Sequence, residues 1–134
     1  MRYCIPIAWR RHNRHRKRSS YEVIIECWLK ELGIAYKREA AIGRCHVDFL
    51  IEPNTIIEVN GCYWHQCLVC FPKPTKRQKV QRIRDYFRYK FFVSKGYRII
   101  VIKGHQIDKD PLAVKARIER LKPKIVEQSP VLTY

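Results

Sequence analysis

The chain has 134 residues and a formal net charge of +16, from 28 Lys and Arg against 12 Asp and Glu. That length holds one domain with a sizeable core, and no apolar run approaches the ~20 residues that a membrane-spanning helix needs. So large an excess of positive charge points to an anionic partner, nucleic acid first, with anionic membranes and ribosomes behind it.

The N-terminal apolar run Ile5, Pro6, Ile7, Ala8 and Trp9 is too short for a secretion signal, and its charges follow rather than precede it. An intracellular, cytoplasmic placement is expected. In that reducing setting the six cysteines are ligands or buried thiols rather than disulfides. Arg10, Arg11, Arg14, Arg16, Lys17 and Arg18 make residues 1–18 a basic arm. It reads as a phosphate-binding arm or, more blandly, as a solubilising one. Residues 19–122 are expected to form the domain, and residues 123–134 a tail.

Ser19 or Ser20 is a capping residue for a helix with apolar positions Ile24, Ile25, Trp28, Leu29 and Leu32, closed by Gly33. Glu22 falls in its first turn, where the helix dipole favours a carboxylate. Residues 34–42 and 44–51 read as strands, the second with His46, Asp48 and Leu50 on one side and Val47, Phe49 and Ile51 on the other. After the turn Glu52-Pro53-Asn54, residues 55–60 form the next strand, and the hairpin brings Asp48 near Glu58. Residues 61–75 are loop, with Pro72 and Pro74 excluding regular structure. Residues 76–95 make a long helix with Val80, Ile83, Phe87, Phe91 and Phe92 at helical spacing; its other face is basic, and Asp85 is its only carboxylate. Residues 97–103, β-branched, read as a central strand. A last helix over 110–121 starts near Pro111. The fold class is therefore α/β, an αβββαβ core with a mixed central sheet flanked by helices.

The stretch Thr55 to Cys70, TIIEVNGCYWHQCLVC, concentrates the chemistry. Phosphodiester hydrolysis needs a metal to neutralise phosphate and orient water, and a group to move protons. Hard Mg²⁺ takes a few carboxylate and carbonyl oxygens and keeps several waters. Asp48 and Glu58 on paired strands, with Glu22 on the helix, make such a set, although a lone Glu22 is more often a capping acid. His65, with an ordinary pKa of about 6.5, suits proton transfer, and Asp85 is placed to orient its imidazole. Cys62, Cys67 and Cys70 form C-x4-C-x2-C, in which Cys67 and Cys70 alone match the C-x2-C half of many Zn²⁺ sites. A redox pair is the alternative, but it would normally open a helix. His105 is the expected fourth ligand, with Cys45, His46 and Cys4 behind it.

These motifs together resemble the very-short-patch-repair (Vsr) endonucleases and, more broadly, the EDxHD nucleases of the PD-(D/E)xK superfamily. The likeness runs through Glu22, LGIAYKRE, Val47-Asp48-Phe49, NGCYWH at residues 60–65, Asp85 before Gly96, and YRIIVI leading to His105. Some intron-associated homing endonucleases are similar in this core. The resemblance implies a restriction-endonuclease-like fold with a zinc-bound loop. It makes Glu22 the helix acid, Asp48 a metal ligand, His65 the general base and Asp85 its partner. Val59 would offer a backbone carbonyl to the metal. Cys62 and Cys67 occupy zinc-ligand places, Cys70 is one residue out of register, and His105 stands where the family has a cysteine. Asn60 replaces the repair enzymes' histidine, and Glu58 restores the superfamily's second acid. Tyr63 and Trp64 match a pair that wedges into mismatched DNA; core packing is the alternative for one of them.

The expected activity is Mg²⁺-dependent hydrolysis of double-stranded DNA. It would nick one strand, in mismatch repair or homing, by a monomer or weak dimer on DNA and without a membrane partner. The alternative is a non-catalytic, zinc-containing nucleic-acid-binding protein with a degenerate nuclease core.

Overall fold

A computed structural model describes residues 19–61 and 67–122. Ser19 caps the first helix, α1 (Ser20–Glu31), by accepting from the Glu22 amide at 3.2 Å. The helix ends as its sequence implies. Gly33 takes φ +69°, and Ile34 N–H reaches back to the Leu29 carbonyl at 2.9 Å. Val23, Ile25 and Leu29 are buried, with Ile24, Trp28 and Leu32 partly so. Ile34 is a buried anchor after the helix, and the first strand, β1 (Lys37–Ile42), begins three residues later than expected.

Next come β2 (Cys45–Ile51) and β3 (Thr55–Asn60), both antiparallel to their predecessors. The β1–β2 turn requires Gly43. Its φ is +61°, and a Cβ there would come 3.1 Å from the Phe91 ring. The helix α2 (Lys76–Ser94) starts with a capping box between Thr75 and Gln78 and stops at Gly96, φ +88°. It leads to β4 (Arg98–Lys103), which pairs parallel to β3. The sheet order is β1-β2-β3-β4. Residues 98–103, expected to be central, therefore form an edge strand. Their β-branched side chains report burial on the faces of the sheet, which an edge strand covered by helices shares.

The expected αβββαβ order is present. Two short helices follow it, α3 (Gly104–Lys109) and α4 (Pro111–Glu119), where the sequence suggested one. Asp110 caps α4 by accepting from the Ala113 amide at 3.1 Å. The helices lie on both faces of the mixed sheet. On one face Ile25, Leu29, Phe49, Ile57, Val59, Ile102, Val114 and Ile118 form the larger core. On the other, Ile42, Val47, Ile56 and Phe92 form a smaller one. Among the described residues no helix is long and apolar enough to cross a membrane.

Two expectations about faces are corrected. Val47 and Leu50 pack in the smaller core, whereas Phe49 and Ile51 pack in the larger. The strict alternation expected for residues 46–51 is therefore interrupted near Asp48. On β1, between the Arg38↔Phe49 and Ala40↔Val47 pairs, Glu39 has φ +48°, a left-handed residue that turns the ribbon there. On α2, Val80, Ile83 and Phe87 are 46 %, 58 % and 64 % exposed. The residues buried on that helix are Gln78, Asp85 and Phe92, spaced by seven. The helix is rotated so that a polar stripe meets the sheet.

Candidate active site and metal-binding cluster

Strand β3 is buried along nearly its whole length, so its alternation sorts residues between two interiors. Ile57 and Val59 join the larger core. Ile56, Glu58 and Asn60 face α2. Ile56 packs in the Phe92 cluster, Glu58 meets Arg88, and Asn60 donates from Nδ2 to the Tyr89 hydroxyl at 2.9 Å.

The hairpin does bring Asp48 to Glu58. Backbone pairing of β2 with β3 runs from Ile51↔Thr55 to Phe49↔Ile57. Beyond it, the Val59 amide donates to Asp48 Oδ2 at 2.8 Å. An aspartate side chain thus takes over from the strand ladder and is held rigidly by it. The Glu58 carboxyl lies within hydrogen-bonding reach of Asp48. Burial, with Asp48 adding repulsion, pushes Glu58 up to about 8; Arg88 pulls in the opposite direction. Glu58 is only 6 % exposed.

Arg88, on α2, donates from Nη2 to Glu58 Oε1 at 2.6 Å and to the His46 carbonyl. Its guanidinium lies over the Phe92 ring, 5.1 Å from the centroid. Burial alone would lower its pKa, but Glu58, Cys45 and Asp48 more than offset that. One turn earlier, buried Asp85 accepts from Gln81 Nε2 at 3.0 Å. Burial raises the Tyr89 hydroxyl to about 12, with the Asn60 bond acting against it, so the phenol stays protonated. Asn60, Asp85 and Tyr89 line one side of a cavity of about 430 Å³, with Arg82 and Lys103 also in its wall. Arg88, Tyr89 and Gln81 carried no functional expectation. Their only signal in the sequence is position, one turn from Asp85 on either side.

Glu22 lies in the first turn of α1. That turn sits against the C-terminal end of β4. The Tyr21 hydroxyl donates to Asp108 Oδ2 at 2.7 Å, and a Cβ on Gly104 would fall 2.7 Å from the Tyr21 ring. Asn60 pairs with Lys103 at the same end of the sheet.

A second cluster forms where the loop before α2 meets α3. Cys67, Cys70 and His105 present donor atoms all within 4.8 Å of one another, and Cys67 Sγ is 3.2 Å from His105 Nδ1. Tetrahedral zinc with bonds of ~2.0–2.3 Å places its donors roughly 3.3–3.8 Å apart, so only a small closure is needed. Soft sulfur and imidazole donors suit zinc better than magnesium. His105 reaches the thiols because α3 begins directly after β4. The reserve ligands Cys45 and His46 lie on β2 beside Arg88, outside this group. Cys4, Cys62, Tyr63, Trp64 and His65 fall outside the described residues, as do Arg10, Arg11, Arg14, Arg16, Lys17 and Arg18.

No family model matches the chain, and no curated protein does. Among solved structures, the chain is similar to the catalytic domain of the homing endonuclease I-Bth0305I. The identity is 26 % and the TM-score 0.58, over 77 % of this chain and 93 % of that one.

Proposed function

We propose that this chain is a metal-dependent DNA endonuclease that hydrolyses phosphodiester bonds and nicks one strand per event. The observation that carries the reading is the Asp48–Glu58 carboxylate pair, with Glu58 buried and Asp48 partly so, braced by the Val59 amide and Arg88. It sits in a fold similar to that of a homing endonuclease catalytic domain. Two acids pressed together inside a chain of charge +16 are costly unless a cation is to be held there. The structural neighbour makes a nuclease the coarse conclusion; the metal, the strand preference and the very-short-patch-repair type are finer proposals.

Asp48 and Glu58, with the Val59 carbonyl, are the residues that would hold Mg²⁺. The donor set fits it, being hard oxygen ligands on rigid strands. When bound, the ion supplies charge neutralisation at the scissile phosphate and an acidified water. His65 accepts the proton of the attacking water. Asp85, fixed by Gln81, stabilises the imidazolium that results. Glu22, on the first turn of α1, completes the acidic set at this end of the sheet. Cys67, Cys70 and His105, with Cys62, would hold Zn²⁺. That ion is structural, clamping the segment that carries His65, Tyr63 and Trp64. The basic arm, residues 1–18, binds phosphates along double-stranded DNA.

Supercoiled plasmid in Mg²⁺ tests the reading. The wild type relaxes it, while Asp48→Ala and His65→Ala lose roughly a hundredfold or more in rate and still bind DNA. Equal cleavage by all three would sink the assignment. Elemental analysis is expected to find one zinc per chain, absent after Cys67→Ser.

A further inference from the structure

Arg88 has no role among the expectations drawn from the motifs, yet it is bound to one of the two carboxylates proposed to hold a metal. Its guanidinium reaches Glu58 Oε1 at 2.6 Å and the His46 carbonyl, and Asp48 and Cys45 are close enough to act on it electrostatically. The Glu58 side chain is 8 % exposed and that of Arg88 30 %. Glu58 is thus shut in while the Arg88 side chain remains partly exposed. The Arg88 head group lies over Phe92, on a helix that also fixes Asp85 and Tyr89.

We propose that Arg88 is a resident cation of the Asp48–Glu58 pair that turns to a DNA phosphate when a divalent ion takes the pair, so that metal and DNA bind cooperatively. The inference rests on the nuclease reading above and adds to it a residue and a coupling. Its basis is charge and geometry. With both acids ionised, as metal ligation requires, the pair carries −2 and Arg88 +1. A divalent ion neutralises the pair and leaves the guanidinium without a counter-charge. One phosphodiester, at −1, supplies it. Once the metal is bound, the site balances only when a phosphate is present as well. The planar fork that grips a carboxylate grips a phosphate in the same way, so the exchange needs rotation of the head group only. Each ligand then raises the affinity of the other by the same factor, as linkage requires.

Mn²⁺ binding, read by electron paramagnetic resonance of the free ion with and without a short DNA duplex, tests this on the full chain. The wild type is expected to bind Mn²⁺ roughly tenfold or more tightly with duplex present, and Arg88→Gln to show a ratio near one. Because each ratio is taken within one variant at one pH, a change in Glu58 protonation cancels. Arg88→Lys, which keeps the charge, is expected to retain part of the coupling. The same ratio in wild type and Arg88→Gln overturns the proposal. So does Mn²⁺ binding that is insensitive to Asp48→Asn, because the pair would then not be the seat of the ion. Should Arg88→Gln not fold, the Arg88 Nε resonance of the ¹⁵N-labelled wild type decides. It is expected to move at a lower Mg²⁺ concentration with duplex present than without; the same Mg²⁺ dependence in both overturns the proposal. Coupling without plasmid relaxation would refute the nuclease reading and leave this one standing. Plasmid relaxation without coupling would do the opposite.

Discussion

The two faces of the sheet are built on different terms. The face covered by α1, α3 and α4 is an apolar interior, in which Phe49, Ile57, Val59 and Ile102 meet Ile25, Leu29, Val114 and Ile118. The face covered by α2 contains four buried apolar residues and, beside them, Glu58, Asn60, Gln78 and Asp85. Apolar burial stabilises the first face without directional demands. The second must satisfy every polar group it encloses. It does so through α2, by Arg88 on Glu58, Tyr89 on Asn60 and Gln81 on Asp85. One interior carries the stability, and the other accepts a cost in order to hold charges at fixed positions.

The largest test of that contrast is removal of an aromatic from each core. Phe49→Ala and Phe92→Ala each leave a cavity and are expected to destabilise by ~3–5 kcal/mol in denaturant unfolding. Phe49→Ala is expected to lower the activity only in proportion to the loss of folded protein. Phe92→Ala also removes the surface under Arg88, and its nicking rate per folded molecule should fall as well. Equal activity per folded molecule in both variants would erase the distinction between the faces.

A smaller effect follows from the buried acid. Folded Glu58 holds its proton up to about 8, whereas its ordinary value is 4.5. Between those values the folded state binds more protons than the unfolded chain, so stability falls as pH rises through the window. In chelator, the stability of Glu58→Gln relative to wild type is therefore expected to improve from about pH 5 to about pH 8, by up to a few kcal/mol. Urea unfolding at a series of pH values measures it. A constant difference would mean that Arg88 fully compensates the burial of Glu58. Smallest of all is Phe87→Ser, on the outward side of α2. It should change stability by no more than ~0.5 kcal/mol, against the several expected for Phe92→Ala. A large loss would return Phe87 to the core that its spacing first suggested.

The element order could be read from local signals. Ser19 and Thr75 as caps, Gly33 and Gly96 as stops and the apolar run of β3 each act within a few residues. The juxtaposition of Asp48 with Glu58 was also legible, because a short hairpin fixes its own register. The orientation of α2 was not. Val80, Ile83, Phe87, Phe91 and Phe92 have helical spacing, but so does the stripe Gln78, Asp85 and Phe92, and periodicity cannot say which one faces the sheet. Arg88 escaped notice for the same reason, since one arginine among the many basic residues of this chain has no local mark.

By itself, then, the sequence determined the fold class, the hairpin that pairs two acids, and the close spacing of Cys67 and Cys70. Those features depend on turn chemistry, capping and alternation, which act over a handful of residues. Only the tertiary structure decided that α2 turns its polar stripe inward, that Arg88 rests on Glu58, and that His105, rather than Cys45 or His46, reaches Cys67. These are contacts between residues 30 and 38 positions apart. They are set by which faces can be buried together once Glu58 and Asp85 must both find partners out of water.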